Sequence, residues 1–368
     1  MAEGFTSVRF APAAPLFEAR HAALDRHDDG LLAAMGWMTE QWLVRATDPR
    51  RFLAGAKSVV LLALPYHGEE VDVPADGVSR GRIARYAHGR DYHRVFEKKL
   101  RRIARVMREE LGASARPTVD YGPLLERPLA AASGMGWLGK STMLLVPGFG
   151  PWVLLGAIAT DLDLWPDEPL KKTCGACTRC IVACPTGALS PEGNVLDARL
   201  CISYHTIENR GPIPRELRPL FGDWIFGCDD CLDSCPVGAK NAATYPDFAA
   251  KDTEDARPAL APLLALDEAL FVERFRGKAI MRAKRDGFVR NVCVALGNVG
   301  EAADLRPLLA ALDDGSALVR GHAAWAVGEL VTRLMLDGRD ARNALQSRLA
   351  NEQDPTVRDE ITSALERL

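Results

Sequence analysis

Four cysteines fall within eleven residues of the stretch TCGACTRCIVACPTGAL, at positions 174, 177, 180 and 184, and a proline follows the last of them. Zinc sites generally use two CxxC pairs split by a longer loop. The tight run Cys-x2-Cys-x2-Cys-x3-Cys-Pro instead suits iron–sulfur ligation. Three thiolates at three-residue intervals can wrap one cubane, and the fourth, held off by the turn at Pro185, reaches a second cluster. That logic requires a partner run, and Cys228-x2-Cys231-x3-Cys235-Pro236 provides it. The position three before Cys228 is Ile225, which cannot bind iron, and Cys201 is the spare cysteine that can replace it. By exchange, one 4Fe–4S cluster takes Cys174, Cys177, Cys180 and Cys235, and the other takes Cys184, Cys201, Cys228 and Cys231. Cys293, in the apolar helical stretch VRNVCVALGNVG, is left over and reads as a packed core residue. Eight of the nine cysteines lie between 174 and 235, a crowding unlike the wider spread of a secreted disulfide framework.

Upstream, ARYAHGRDYHRVFEKKL places Tyr86, His88, Asp91, Tyr92 and His93 within eight residues. Further on, TVDYGPLLERPLAAASGMGWLGKST puts Asp120 at the end of a short extended stretch, ahead of Glu126 and Arg127 and a glycine-rich turn from Gly134 to Gly139. Taken singly these are ordinary features. Glu126 and Arg127 read as a surface or structural pair on a helix, the glycines as a tight turn, and Lys140 as solvated.

The elements that must carry these residues follow from hydrophobic pattern. SVVLLALPYH (58–67) and WVLLGAIATDLDL (152–164) read as buried strands, and RVFEKKLRRIARVMREEL (94–111) has helical apolar spacing with Lys and Arg on its other faces. Residues 1–165 are therefore expected to form an α/β domain. Residues 166–245, rich in Gly and Pro, would be a ferredoxin-like two-cluster domain held together by its metal. Residues 246–368 would be a linker followed by helical repeats of the HEAT class, because Val-Arg pairs at Val289, Val319 and Val357 recur at spacings of 30 and 38. Hydrophobic content of 48% and charged content of 26% are ordinary for a globular chain, and the net charge of −3 provides no global attraction to nucleic acid. No apolar run is long enough to span a membrane, and the N-terminus lacks the core of a signal peptide, so the expected compartment is the cytoplasm. The exception to the acidic balance is ERFRGKAIMRAKRDGFVR, a local basic run just before the repeats.

In combination, GRDYH, VDYGPLLERPLAAASGMGWLGKST, CGACTRCIVACPTGAL, RLCISYHTIE, GCDDCLDSCP and RNVCVALGN resemble one family closely, the epoxyqueuosine reductases, over about residues 45–330. The resemblance implies an N-terminal domain that binds cobalamin, two 4Fe–4S clusters that feed electrons to cobalt, and a helical repeat that grips the anticodon stem-loop of transfer RNA. The implied reaction reduces the epoxide of epoxyqueuosine at the wobble position (34) to the cyclopentene diol of queuosine, the last step of that nucleoside's biosynthesis. It implies Asp120 as the proton donor, and the apolar flanks of Asp120 would favour its protonated form. The alternative is that Asp120 caps the following helix. Asp91 and His93 match the pattern as further site residues. By position in the matching phrases, Arg45, Ala84, Ser141, Leu144, Leu155 and Ser203 would contact cobalamin together with Asp120. No Asp-x-His-x-x-Gly phrase occurs, so the resemblance implies a corrin held without a histidine ligand. His205 falls where the family phrase has an apolar residue, which leaves its role open. Arg282, Lys284, Arg285, Arg290 and Arg320 would meet the RNA phosphates. The expected partners are the stem-loop and an external low-potential electron donor, with the protein acting as a monomer. Two rivals are a corrinoid reductive dehalogenase-like enzyme and a ferredoxin-type carrier with a helical docking module. Corrin binding and stem-loop binding separate them.

Overall fold

The computed structural model describes residues 3–238, 240–241 and 243–368. They fall into two compact units, each assembled from three stretches: Met1–Glu70, Gly89–Arg199 and Asp229–Ala249 in the first, and Val71–His88, Leu200–Cys228 and Ala250–Leu368 in the second. These units do not follow the consecutive segments 1–165, 166–245 and 246–368. Tertiary contacts divide the cysteine-bearing stretch, leaving Cys201 and Cys228 in the second unit and the other six cluster-type cysteines in the first.

The first unit is built on a four-stranded sheet. Its strands are β1 (Ser7–Pro12), β2 (Ser58–Pro65), β3 (Ala115–Thr118) and β4 (Val153–Thr160), in spatial order β1-β2-β4-β3, and every neighbouring pair is antiparallel. The two strands expected from apolar runs are β2 and β4, and they pair from Ser58 with Thr160 to Pro65 with Val153. All of β2 is buried because both faces of the sheet are covered. One cover is helix α1 (Tyr92–Leu111), whose buried stripe includes Val95, Phe96, Leu100, Ala104 and Met107. A side chain at Gly156 of β4 would strike the Phe96 ring, so this glycine sets how closely α1 lies on the sheet. The other cover is helix α2 (Glu126–Ala132), whose Leu129 and Ala130 join Val59, Leu61 and Ala157 in one apolar cluster. The cysteine runs of this unit are mostly turns, interrupted by two packed one-turn helices, Arg179–Ala183 and Asp230–Asp233.

The second unit is dominated by helices α3 (Lys284–Val299), α4 (Leu305–Ala311), α5 (Ala317–Leu334), α6 (Arg339–Asn351) and α7 (Pro355–Arg367). Val289, Val319 and Val357, which marked the repeat in sequence, are buried on the first two turns of α3, α5 and α7, and α5 packs against both of the others. Gly297 lies against Trp325 and Gly328 against Ala364, where small residues let the helices approach. Cys293 has no exposed surface and is a core residue, as its apolar neighbours suggested, and burial pushes its thiol pKa up. Among the described residues no helix is long and apolar enough to cross a membrane.

Candidate functional site

Helix α1 starts where it does because the Asp91 side chain caps it, accepting the His93 amide at 3.1 Å. The same carboxylate lies 2.8 Å from His93 Nδ1. The other face of the imidazole edge is also occupied, with Nε2 3.2 Å from Asp120 Oδ2, and that oxygen accepts a second hydrogen bond, 2.7 Å long, from the Tyr92 hydroxyl. The Tyr92 and His93 rings stack at 4.0 Å between centroids. Asp120 itself follows β3 in a left-handed conformation, φ 47°, which few non-glycine residues adopt. Its amide donates to Glu126 Oε1 at 2.8 Å, so the first residue of α2 holds the backbone of this turn.

The charges of the group are set by this geometry. Burial works against a charged His93, but hydrogen bonds to Asp120 and Asp91 outweigh it and raise its pKa to about 9. Burial of Asp91, and partial loss of water around the more open Asp120, oppose ionisation, yet their bonds to His93, and for Asp120 also to Tyr92, hold both below the usual carboxylate value. The Glu126 carboxyl goes the other way, pushed up to about 8 by burial and by the Asp120 charge. The sequence expectation that apolar flanks keep Asp120 protonated is therefore corrected. Its side chain is 62% exposed and faces a cation, so the resting proton sits one hydrogen bond behind it, on His93. From sequence, Tyr92 is named beside Asp91 and His93 without a role, and Glu126 reads with Arg127 as a surface or structural pair rather than a member of this group. The proximity of Tyr92 and Glu126 depends on α1 and the 120–126 turn meeting in space, although Tyr92 does stand in the same GRDYH phrase as Asp91 and His93.

The thiols of Cys174, Cys177, Cys180 and Cys235 come together in the first unit. The thiol pKa of Cys180 is raised by burial and then by Cys174 and Cys235, and that of Cys235 by burial, with Cys174 and Cys177 adding to it. This is the set that exchange between the two runs predicts for one cluster. Among the described residues no group of three His, Cys, Asp or Glu side chains is placed to hold a single metal ion. Cys184 accepts the Ala188 amide at 3.3 Å, a bond that suits a thiolate. Of the predicted second set, Cys184 and Cys231 belong to the first unit and Cys201 and Cys228 to the second.

The residues carried over for cobalamin divide by exposure. Ala84, Ser141 and Leu144 are buried by the protein itself and could offer a ligand little but backbone, whereas Arg45 is exposed and Leu155 and Ser203 are half-buried. Two buried polar atoms beside these phrases lack a hydrogen-bond partner, Thr118 Oγ1 just before Asp120 and Trp137 Nε1 just before Ser141. Orphaned donors of this kind suit a group bearing amide side chains. Within the same turn Gly134 and Gly136 pack against protein, since side chains there would strike the backbone at Glu168 or Leu145.

The basic run separates in the same way. Arg282 and Lys284 are exposed, with Arg282 paired to Glu208. Arg285 is tied to Asp314, and Arg320 to Glu352, each largely covered. Arg290 has no exposed surface and donates to the carbonyls of His205, Asn209 and Gly211, so its assignment to a phosphate contact is corrected to a structural one. His205 is likewise a buried core residue, with Nδ1 3.0 Å from the Asn209 side-chain nitrogen.

Compared with known proteins, the chain matches three family models and several relatives. Residues 46–121 match the family described as epoxyqueuosine reductase QueG, DUF1730, residues 173–238 match a 4Fe-4S double cluster binding domain, and residues 277–366 match HEAT repeats. The chain is 41% identical over 311 residues to the epoxyqueuosine reductase of Xanthomonas campestris, covering 82% of this chain and 86% of that protein. It is 31% identical over 370 residues to that of Bacillus anthracis, covering 99% and 94%. A crystal structure of epoxyqueuosine reductase with an epoxyqueuosine-modified tRNA-Tyr stem loop superposes with a TM-score of 0.91 at 29% identity, over 100% of this chain and 96% of that one. The Bacillus subtilis epoxyqueuosine reductase, with its catalytic aspartate loop swung out of the active site, gives 0.90 at 29% identity over the same shares.

Proposed function

The chain belongs to the epoxyqueuosine reductase family, and from that premise we propose that it reduces the epoxide of epoxyqueuosine in transfer RNA to the alkene of queuosine. The reaction consumes two electrons and two protons and releases the epoxide oxygen as water. Cobalamin, when bound, supplies the two-electron chemistry at carbon, and the two 4Fe–4S clusters supply single electrons from an external low-potential donor. Cys174, Cys177, Cys180 and Cys235 would hold one cluster, and Cys184, Cys201, Cys228 and Cys231 the other. Arg45, Leu155 and Ser203 would meet the corrin through side chains, and Ala84, Ser141 and Leu144 through backbone.

The observation that carries the reading is His93 bridging two carboxylates, one of them the accessible Asp120. In the proposed reaction His93 passes its proton to the Asp120 carboxylate along their hydrogen bond as Asp120 delivers a proton to the epoxide oxygen and the C–O bond opens, which leaves His93 neutral until it is reprotonated from solvent. Asp91 fixes the imidazole and keeps it charged, while Tyr92 aims the Asp120 oxygen. Because the proton is stored on His93, Asp120 need not be buried and can remain open to a bulky substrate. Arg282 and Lys284 stand as phosphate contacts of the anticodon stem-loop, whereas Arg285 and Arg320, each neutralised in a covered ion pair with Asp314 or Glu352, hold the fold. A monomer working in the cytoplasm completes the reading.

The test is single-turnover product analysis. Anaerobic holoenzyme with cobalamin and a strong reductant is mixed with transfer RNA carrying epoxyqueuosine, and the digested nucleosides are weighed by mass spectrometry. Loss of one oxygen atom by the wild type and not by Asp120→Asn supports the reaction and the acid. No loss with clusters and corrin in place would sink the reading.

A further inference from the structure

Helix α1 begins at the proton-storing pair and runs away from it for twenty residues, and its outward face is basic. Arg94, Lys98, Arg101, Arg105 and Arg108 are spaced four, three, four and three residues apart, so they form one stripe along the helix, and all five are exposed. With Arg102 and Pro117 they line a shallow groove of about 650 Å³, in which Glu97 is the lone carboxylate. Pro117 belongs to β3, the strand that leads into Asp120, so both walls of the groove start from elements that end at the site. Counter-charges do not cancel the stripe. Arg101 pairs with Glu97, and Arg105 only loosely with Glu109 at 4.0 Å. Arg94 and Lys98, the two residues nearest His93, stand in no ion pair among the described residues.

A concentration of five aligned cations is unexpected in a chain whose net charge is −3. A helix needs exposed polar residues for solubility, but mixed signs would serve for that, and the opposite signs here are confined to Glu97 and the last turn. We propose that this stripe is a second phosphate-binding surface, which takes the RNA backbone flanking the nucleotide presented to Asp120. The occupant follows from charge and continuity. A base acted on at Asp120 remains attached to a polyanion, and from His93 to Arg105 the helix provides a cationic track of about 18 Å at 1.5 Å per residue. This rests on the function proposed above and adds to it a contact made by the same unit that holds the proton pair.

The experiment measures binding of an unmodified anticodon stem-loop to the holoenzyme across a series of salt concentrations, so that it does not depend on turnover. The variant is Arg94→Gln/Lys98→Gln/Arg105→Gln, with single Lys98→Gln as a milder form in case the triple does not fold. Three lost phosphate contacts should flatten the log–log salt dependence by roughly 2 to 3 and weaken binding at least ten-fold near physiological salt, and the single variant should flatten it by about 0.7–0.9. A wild-type salt slope in folded variants would overturn the proposal while leaving the function reading intact. A wild type that does not bind the stem-loop at all would overturn both. If the variants bind RNA normally but accept electrons slowly from an acidic protein reductant, and at the usual rate from dithionite, the stripe is a protein-docking face and the RNA assignment fails.

Discussion

Replacing Asp91 by asparagine should move the pH at which the enzyme loses activity on its alkaline side. His93 carries its proton up to about pH 9 in the fold, against 6.5 as its ordinary value. That rise corresponds to about 3 kcal/mol of preference for the charged ring, at 1.36 kcal/mol per pKa unit. The ring is only 29% exposed, so solvent screening removes little of it, and it is shared between Asp91 at 2.8 Å and Asp120 at 3.2 Å. Neutralising Asp91 should remove roughly half, bringing His93 down to about 7.5. Asparagine can still cap α1, so the helix should keep its start. In a pH–rate profile of epoxyqueuosine reduction the wild type should lose activity near pH 9, and Asp91→Asn at roughly 7 to 8. Stability should shift with it. The stabilisation contributed by charged His93 is fully present below its unfolded value of 6.5 and is lost as the pH rises through about 9. Denaturant titrations should therefore show the wild type losing up to about 3 kcal/mol across that window, and Asp91→Asn about half as much. An alkaline limb that stays in place in Asp91→Asn, or lies near 6.5 in the wild type, would refute the storage of the proton on His93.

Glu126→Leu removes the acceptor that holds the Asp120 amide in its left-handed turn, worth about 1–2 kcal/mol, and should slow the reaction on the order of ten-fold, whereas Glu126→Gln keeps the acceptor and should stay close to wild type. Iron analysis after anaerobic reconstitution should show Cys235→Ser retaining about half of the wild-type iron and Cys293→Ala retaining all of it, since only the former is a proposed ligand. Arg290→Ala leaves three buried carbonyls without their donor and should cost on the order of 3 kcal/mol in a thermal or denaturant melt, a loss much larger than that of the exposed Arg282→Ala.

Much of this molecule could be read before any coordinates, and what could be read shares a physical cause. Buried strands and the amphipathic α1 are written in local periodicity, so β2, β4 and α1 were accessible, and the spacing of the two cysteine runs also anticipated that Cys174, Cys177, Cys180 and Cys235 lie near one another. The protonation of Asp120 was not accessible, because it depends on a histidine 27 residues away that reaches the same carboxylate oxygen. Nor was the role of Arg290. On a charge count it resembles Arg282, and only the packing of α3 on the loop after Ile207 makes one a core donor and the other a surface cation. The non-consecutive make-up of the two units was not legible for a similar reason, although one division, between Ala249 and Ala250, lies close to 245. Composition changes there, but contacts assign residues 200–228 to the same unit as the repeat.

That last assignment affects how the chain can be shortened. Arg290 binds the carbonyls of His205, Asn209 and Gly211, its neighbour Asn291 donates to those of Thr206 and Ile225, and Arg218 forms a two-pronged buried pair with Glu360 of α7. Five of these backbone acceptors and one buried guanidinium lie between Cys201 and Cys228, and every partner comes from beyond residue 280. A fragment ending after the last cluster-type cysteine would contain every predicted iron ligand and still leave this stretch with unpaired buried polar groups. The helical repeat is thus half of the folding unit that holds two of the cysteines, and the smallest piece able to load both clusters should be nearly the whole chain.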